Sequence, residues 1–211
     1  AERIQKEVLK LLAAQDPRPA LRLMAATGVL AEIMPYVKGL SRVEGLVEVE
    51  TRQLHENDAE LRLAALLPSD PKVAAVAAER LRLSNAQRDR LVLAAGTEPR
   101  VTSWMSERQA RRALYQLGQA GFFDRVKLAW AEAGKPKAAA QWKALLGLAE
   151  DWVRPDFMLT GEDVMALKVP AGPVVGQALR EVEDWWIDQD FPDDRKLALE
   201  RLKAVVKGMA D

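Results

Sequence analysis

The most chemically pointed stretch of this 211-residue chain runs from Phe157 to Leu179. Thr160 followed three residues later by Asp163 has the form of a capping box, and Leu159, Val164 and Leu167 mark one apolar side of the helix it opens. Val169-Pro170-Ala171-Gly172-Pro173-Val174-Val175-Gly176 then turns the chain into a second helix. Pro173 suits the first helical position, while Gly172 and Gly176 would let another backbone come close. A helix start offers unpaired N–H groups and the positive end of the helix dipole, so the turn is a candidate seat for a phosphate. Packing of one helix on another at the same glycines is the alternative, and these residues alone leave both open.

Charge is the second chemical signal. Lys plus Arg and Asp plus Glu each number 31, giving zero net charge and excluding the strongly basic balance of a nonspecific nucleic-acid binder. The distribution is polarised nonetheless. From Glu79 to Lys143 there are thirteen basic residues against six acidic ones, and from Asp151 to Asp211 thirteen acidic against eight basic. Such a run is either a solvated face or a track for a polyanion.

Other candidate groups are weaker. His55 is the sole histidine and has no cysteine near it, so a surface or capping role outweighs metal ligation. Asp188-Gln189-Asp190 follows Trp185-Trp186 at what reads as a helix end, a poor setting for a catalytic metal pair. The absence of cysteine excludes disulfides and thiolate chemistry and agrees with a reducing cytoplasm, and no apolar run is long enough to span a bilayer. Trp104, Trp130, Trp142, Trp152, Trp185 and Trp186 make up half of the twelve aromatic residues. Most should be core, Trp130 and Trp142 lying in helical apolar stripes, whereas Trp104, between Ser103 and Met105, is the candidate for a ligand contact.

The elements that must position these groups read as helices throughout. Apolar residues recur at three- and four-residue spacing and strand-like alternation is nearly absent, so the expected class is all-α, about a dozen short helices in an elongated array. Ile4, Val8, Leu11 and Leu12 form a first stripe. Asp16-Pro17-Arg18-Pro19 breaks and restarts the chain, and Gly28 is placed to end the next helix. Asp70-Pro71 opens a helix expected to reach Leu83, and Ser84 with Gln87 and Ser106 with Gln109 are capping boxes, the latter leading Ala110, Leu114 and Leu117 on one side. Gly118, Gly121, Gly134-Lys135-Pro136 and Arg154-Pro155 mark further turns.

Three segments together resemble one family, the bacterial tRNA nucleotidyltransferases (CCA-adding enzymes) and their poly(A) polymerase relatives. Glu2, Arg3, Ile4 and Glu7 are similar to that family's Glu-Arg-Ile-x-x-Glu helix, and Gly28, Leu30 and Pro35 to the segment that follows it. Residues 58–67 and 81–91 resemble its body helices, and Gly161-Glu162-Asp163 with Gly172-Pro173-x-x-Gly176 its tail. The resemblance implies residues 1–16 as the end of the neck, 17–96 as the RNA-binding body and 97–211 as the tail, with the body–tail break near Gly96-Thr97-Glu98-Pro99.

It further implies that catalysis belongs to a head preceding Ala1. Nucleotidyl transfer needs a Gly-Ser turn for the triphosphate and two carboxylates that clamp Mg ions, and this sequence contains no Gly-Ser dipeptide. The chain is thus expected to hold tRNA for that head in the cytoplasm, with no catalytic residue, metal or cofactor of its own and no membrane partner. On this reading the basic segment is an RNA track. Arg108, Arg111, Arg112, Arg125, Lys127, Lys135 and Lys137 are expected on phosphates, Gly172 and Gly176 at a further phosphate, and Glu2 and Arg3 in structural pairing around the neck helix. The alternatives are a helical protein–protein scaffold, with the charges as solvated faces, or the equivalent portion of a poly(A) polymerase.

Overall fold

The computed structural model describes residues 2–134 and 138–210, and within them twelve α-helices and one π-helical turn, with no strand. The all-α expectation holds. The chain divides into two compact units, Ala1–Trp152 and Val153–Asp211.

The first unit begins with α1 (Glu2–Leu12), α2 (Arg18–Ala26) and α3 (Val29–Ile33). Val8 and Leu12 bury the amphipathic stripe of α1, but Ile4 at its start is 45% exposed. Pro19 sits in the first turn of α2, and Gly28 takes a left-handed φ of +79° just beyond the helix end, a conformation that suits glycine. Next come α4 (Ser41–Val49), a π-helical turn (Glu50–Leu54), α5 (Ala59–Leu66), α6 (Pro71–Arg80) and α7 (Asn85–Ala94). Asp58 and Asp70 cap α5 and α6 by accepting backbone N–H bonds, and Ser84 and Gln87 close a reciprocal capping box on α7. The helix opened by Asp70 stops at Arg80 rather than Leu83, because Arg82 adopts a left-handed φ of +52°.

The end of α1 is locked to this layer by a buried charge. Arg62, 1% exposed, donates through Nη1 to the carbonyls of Leu12 and Ala14 at 2.7 and 2.6 Å, and through Nε to Glu50 at 2.5 Å. Glu50 is fully buried at the start of the π-helical turn, and burial pushes its carboxyl upward against the pull of Arg62. The guanidinium therefore satisfies orphaned carbonyls at the end of α1.

α8 (Glu107–Ala133) and α9 (Ala139–Asp151) complete the unit. α8 opens with the Ser106/Gln109 capping box and breaks once, at Gly118 (φ +70°, ψ +164°). Gly121 makes no turn. A Cβ there would lie 2.6 Å from Cδ2 of Leu93, so the glycine admits α7 instead. The second half of α8 packs on α4 at Gly45, where a Cβ would stand 2.4 Å from the carbonyl oxygen of Ala131. Sequence after residue 96 is consequently folded onto sequence before it, and the compact units part at Trp152/Val153. Trp130 and Trp142 are buried and stacked, ring centroids 6.4 Å apart, beside Phe122 and Leu114.

The second unit holds α10 (Gly161–Met165), α11 (Pro173–Asp188) and α12 (Arg195–Ala210) around Leu159, Val164, Ala178, Val182, Ala198 and Leu202. Asp163 accepts from the Thr160 N–H at 2.8 Å and also pairs with Arg195 at 2.5 Å, so one carboxylate caps α10 and ties it to α12. Asp190 and Phe191, both at positive φ, end α11, and the Trp186 indole between Phe157 and Phe191 donates to the Pro192 carbonyl. The Asp188-Gln189-Asp190 run thus belongs to a helix terminus. Among the described residues no three His, Asp or Glu side chains form a metal-binding group, and no helix is long and apolar enough to cross a membrane.

Candidate RNA-binding surface

The structure separates the expected phosphate ligands into two groups. Arg108, Arg111 and Arg112 lie in the opening turns of α8, with Arg108 and Arg112 exposed one turn apart. Arg111 is half-buried and its Nη1 meets Glu107 at 3.2 Å. Three cations at a helix N-terminus oppose the helix dipole, and like charges at i and i+4 repel, each effect worth a few tenths of a kcal/mol or more. Glu107, in the same turn, offsets part of that charge, and an anion is favoured at such a helix start.

Further along α8 the cations are absorbed by the fold. Arg125 is 7% exposed and donates to the carbonyls of Pro99 and Glu98 at 2.9 and 3.5 Å. Lys127 pairs with Glu56. Next to them Arg90 bridges Asp124 at 2.8 Å, Asp58 at 2.5 Å and Glu60 at 3.2 Å. Lys135 and Lys137 lie outside the described residues. Glu2 accepts from Arg82 at 3.4 Å, both side chains exposed, and Arg3 is exposed on α1.

In the second unit, Gly172 and Pro173 are exposed at the start of α11, where Pro173 has no N–H and the Val175 N–H donates to the Gly172 carbonyl at 3.1 Å. No backbone approaches the glycines. A Cβ at Gly172 would meet nothing within 4 Å, and at Gly176 only the Arg180 guanidinium at 3.3 Å. What Gly172 supplies is conformation, φ +157° with ψ −168°, a region almost confined to glycine.

A concavity of about 510 Å³ in the first unit collects groups that no motif announced. Its wall is the loop from Gly96 to Trp104, and its other lining includes Arg42, Ser69, Leu128, Glu132 and Trp142. Arg42 crosses from α4 to the end of α5, donating to the carbonyls of Ala64, Ala65 and Leu67 and to the Ser69 hydroxyl. Its partners are 22 to 27 residues away in sequence, so only the fold places it here. Burial pushes both the Arg42 and Arg125 guanidinium groups below their ordinary range, Glu132 and Glu98 respectively opposing that shift from a distance. Trp104 is 79% exposed at this loop, as its setting between Ser103 and Met105 suggested.

A Glu-Asp-x-x-Arg pattern, which in the tRNA nucleotidyltransferases reads the incoming base from the head, occurs once, as Glu150-Asp151-Trp152-Val153-Arg154. It spans the end of α9 and the border of the two units, with no strand around it, so the spacing alone does not make a base-reading site.

Comparison with known proteins relates the N-terminal segment to RNA binding. Residues 1–40, comprising α1 to α3 and the approach to α4, match the family described as "Probable RNA and SrmB-binding site of polymerase A". An 80-residue stretch is 41% identical to the "Uncharacterized 28 kDa protein in petA 5′ region" of Rhodospirillum rubrum, covering 35% of this chain and 31% of that protein. The chain thus spans about a third of that relative's length.

Proposed function

We propose that this chain is the RNA-holding portion of a tRNA nucleotidyltransferase of the CCA-adding type, positioning a folded tRNA so that its 3′ end reaches a catalytic head elsewhere in the protein. The observation that carries this reading is the match of residues 1–40 to the polymerase A RNA-binding family. The arginines at the start of α8, with Arg108 and Arg112 exposed, supply a physical means. A-form RNA is recognised by shape, phosphates and 2′-hydroxyls, which suits an enzyme that must accept tRNAs of any sequence. Arg108, Arg111 and Arg112 would address neighbouring phosphates, and the exposed start of α11 at Gly172–Gly176 another. Arg125 and Lys127 would support the surface from within. Metal-assisted bond making belongs, on this reading, to the head.

Filter binding of tRNA to the whole chain across a salt series tests it. If the three α8 arginines each neutralise a phosphate, log K should fall with log salt at a slope of about −2.7, and replacing Arg108 and Arg112 with Ala should flatten it by about 1.8. A slope near zero would remove the RNA reading. The chain alone should incorporate neither CMP nor AMP, and incorporation without a head would show a catalytic site within these residues. The family description, which names polymerase A, favours a poly(A)-adding relative as the second reading. Unstructured RNA binding as tightly as tRNA would select it.

A further inference from the structure

The concavity bounded by the Gly96–Trp104 loop combines three features that point to one kind of ligand. The first is unbalanced positive charge. Arg42 and Arg125 are held by carbonyl dipoles, with no carboxylate in ion-pair contact among the described residues, and Arg100 lines the same space from the exposed loop. The acids lining it are Glu98 and Glu132, both exposed. The second is an aromatic face. Trp104 sits in a turn closed by the Met105 N–H on the Thr102 carbonyl at 3.2 Å, and the loop behind it is pinned by buried Val101 and by Arg125 on Pro99. The exposed indole is therefore carried on a held loop. The third is an unmet donor: Trp142, 2% exposed and part of the lining, has its indole N–H buried without a partner. A buried unpaired donor is costly and calls for an explanation.

An anion alone would satisfy the charge but leave the indole face unused, and an apolar group would make no use of the exposed Arg100 guanidinium. A planar group carrying a phosphate satisfies all three, and about 510 Å³ falls in the range of small-ligand sites. The geometry points to this groove as a binding site for an unpaired nucleotide of an RNA single strand, its base against Trp104 and its phosphate towards Arg100, with an acceptor edge available to the Trp142 N–H. This deepens the RNA reading above and rests on it. It assigns the groove to unstacked RNA, separate from the duplex-facing arginines of α8, since single strands are bound by aromatic stacking beside cationic side chains.

The test is a titration of the whole chain, labelled with ¹⁵N, by a single-stranded tetraribonucleotide, by AMP or CMP, by inorganic phosphate and by tetraglutamate. The six indole N–H signals are followed, with Trp104→Phe and Trp142→Phe used to assign two of them. The tetranucleotide is expected to shift the Trp104 and Trp142 signals and to bind more tightly than the mononucleotide. Trp104→Ala, at an exposed position, should weaken it about tenfold while the remaining indole signals keep their places. Phosphate or tetraglutamate binding as tightly as the tetranucleotide would overturn the proposal in favour of a plain anion or acidic-peptide site. AMP or CMP matching the tetranucleotide would overturn the assignment to an RNA strand, and so would undiminished binding by Trp104→Ala. The filter assay with tRNA separates the two ideas. Salt-dependent tRNA binding without tetranucleotide shifts sinks the groove alone, whereas shifts without tRNA binding sink the tRNA-holding reading alone.

Discussion

The two halves of α8 both carry basic residues, three before the break and two after it, and they behave in opposite ways. Before the Gly118 break, Arg108 and Arg112 face solvent at the positive end of the helix. After it, Arg125 and Lys127 are drawn into the fold by the carbonyls of Glu98 and Pro99 and by Glu56. The difference lies in what packs against each half. The later half meets α4 and the loop after α7, where carbonyls and carboxylates await. The earlier half buries Ala110, Ala113 and Leu114 and turns its arginines away. A run of basic residues is thus two devices, one that holds the fold and one that offers charge.

The strongest way to break the comparison is at the seam of the later half. Gly45→Ala puts a methyl 2.4 Å from a backbone oxygen that no rotamer change can move, and should destabilise the first unit by about 3 kcal/mol. Unchanged urea unfolding would mean α4 and α8 are not held that closely. Arg125→Ala should cost about 1–2 kcal/mol by orphaning the Pro99 carbonyl. Its effect on tRNA binding should not exceed what its lost stability explains. A selective loss of RNA affinity in a fully folded Arg125→Ala protein would show that this side chain reaches phosphate after all.

The pH dependence sharpens the same contrast. Burial pushes Asp58 up, but the Arg90 guanidinium and the Leu61 N–H outweigh it and leave the carboxyl below its ordinary range. A carboxyl lowered by folding stabilises above its unfolded value and loses that contribution as pH falls through the folded one. Stability should therefore decline below about pH 4, and Asp58→Asn should remove part of that decline. Asp16, held down to about 2 by Arg18, titrates in the same acid window from an exposed position. An identical acid profile in the Asn variant would exclude the Arg90 cluster as its cause. Smallest of all, Arg108→Ala and Arg112→Ala should each change stability by less than about 0.5 kcal/mol, since exposed side chains contribute little there. A loss of over 1 kcal/mol by thermal unfolding would place them with the structural cations instead.

Much of the local architecture was legible from short-range physics. The capping boxes at Ser84 and Ser106, the cap at Asp70, the left-handed Gly28 and the buried Trp130 and Trp142 all follow from side chains acting within a few residues or from apolar periodicity. Gly121 and Gly45 show where such reading stops. Gly121 looks like a turn, and both glycines are close-approach points whose partners, Leu93 and Ala131, are distant in sequence.

The sequence by itself determined the helical class, the helix starts and the polarity of charge along the chain, because propensity, capping and periodicity act between near neighbours. Tertiary structure alone decided which arginines are buried against carbonyls and which stand exposed. It also decided that Arg42 from α4, Trp104 from the loop and Trp142 from α9 would line one groove. Desolvation and hydrogen-bond satisfaction depend on what lies across space, and no spacing along the chain encodes that.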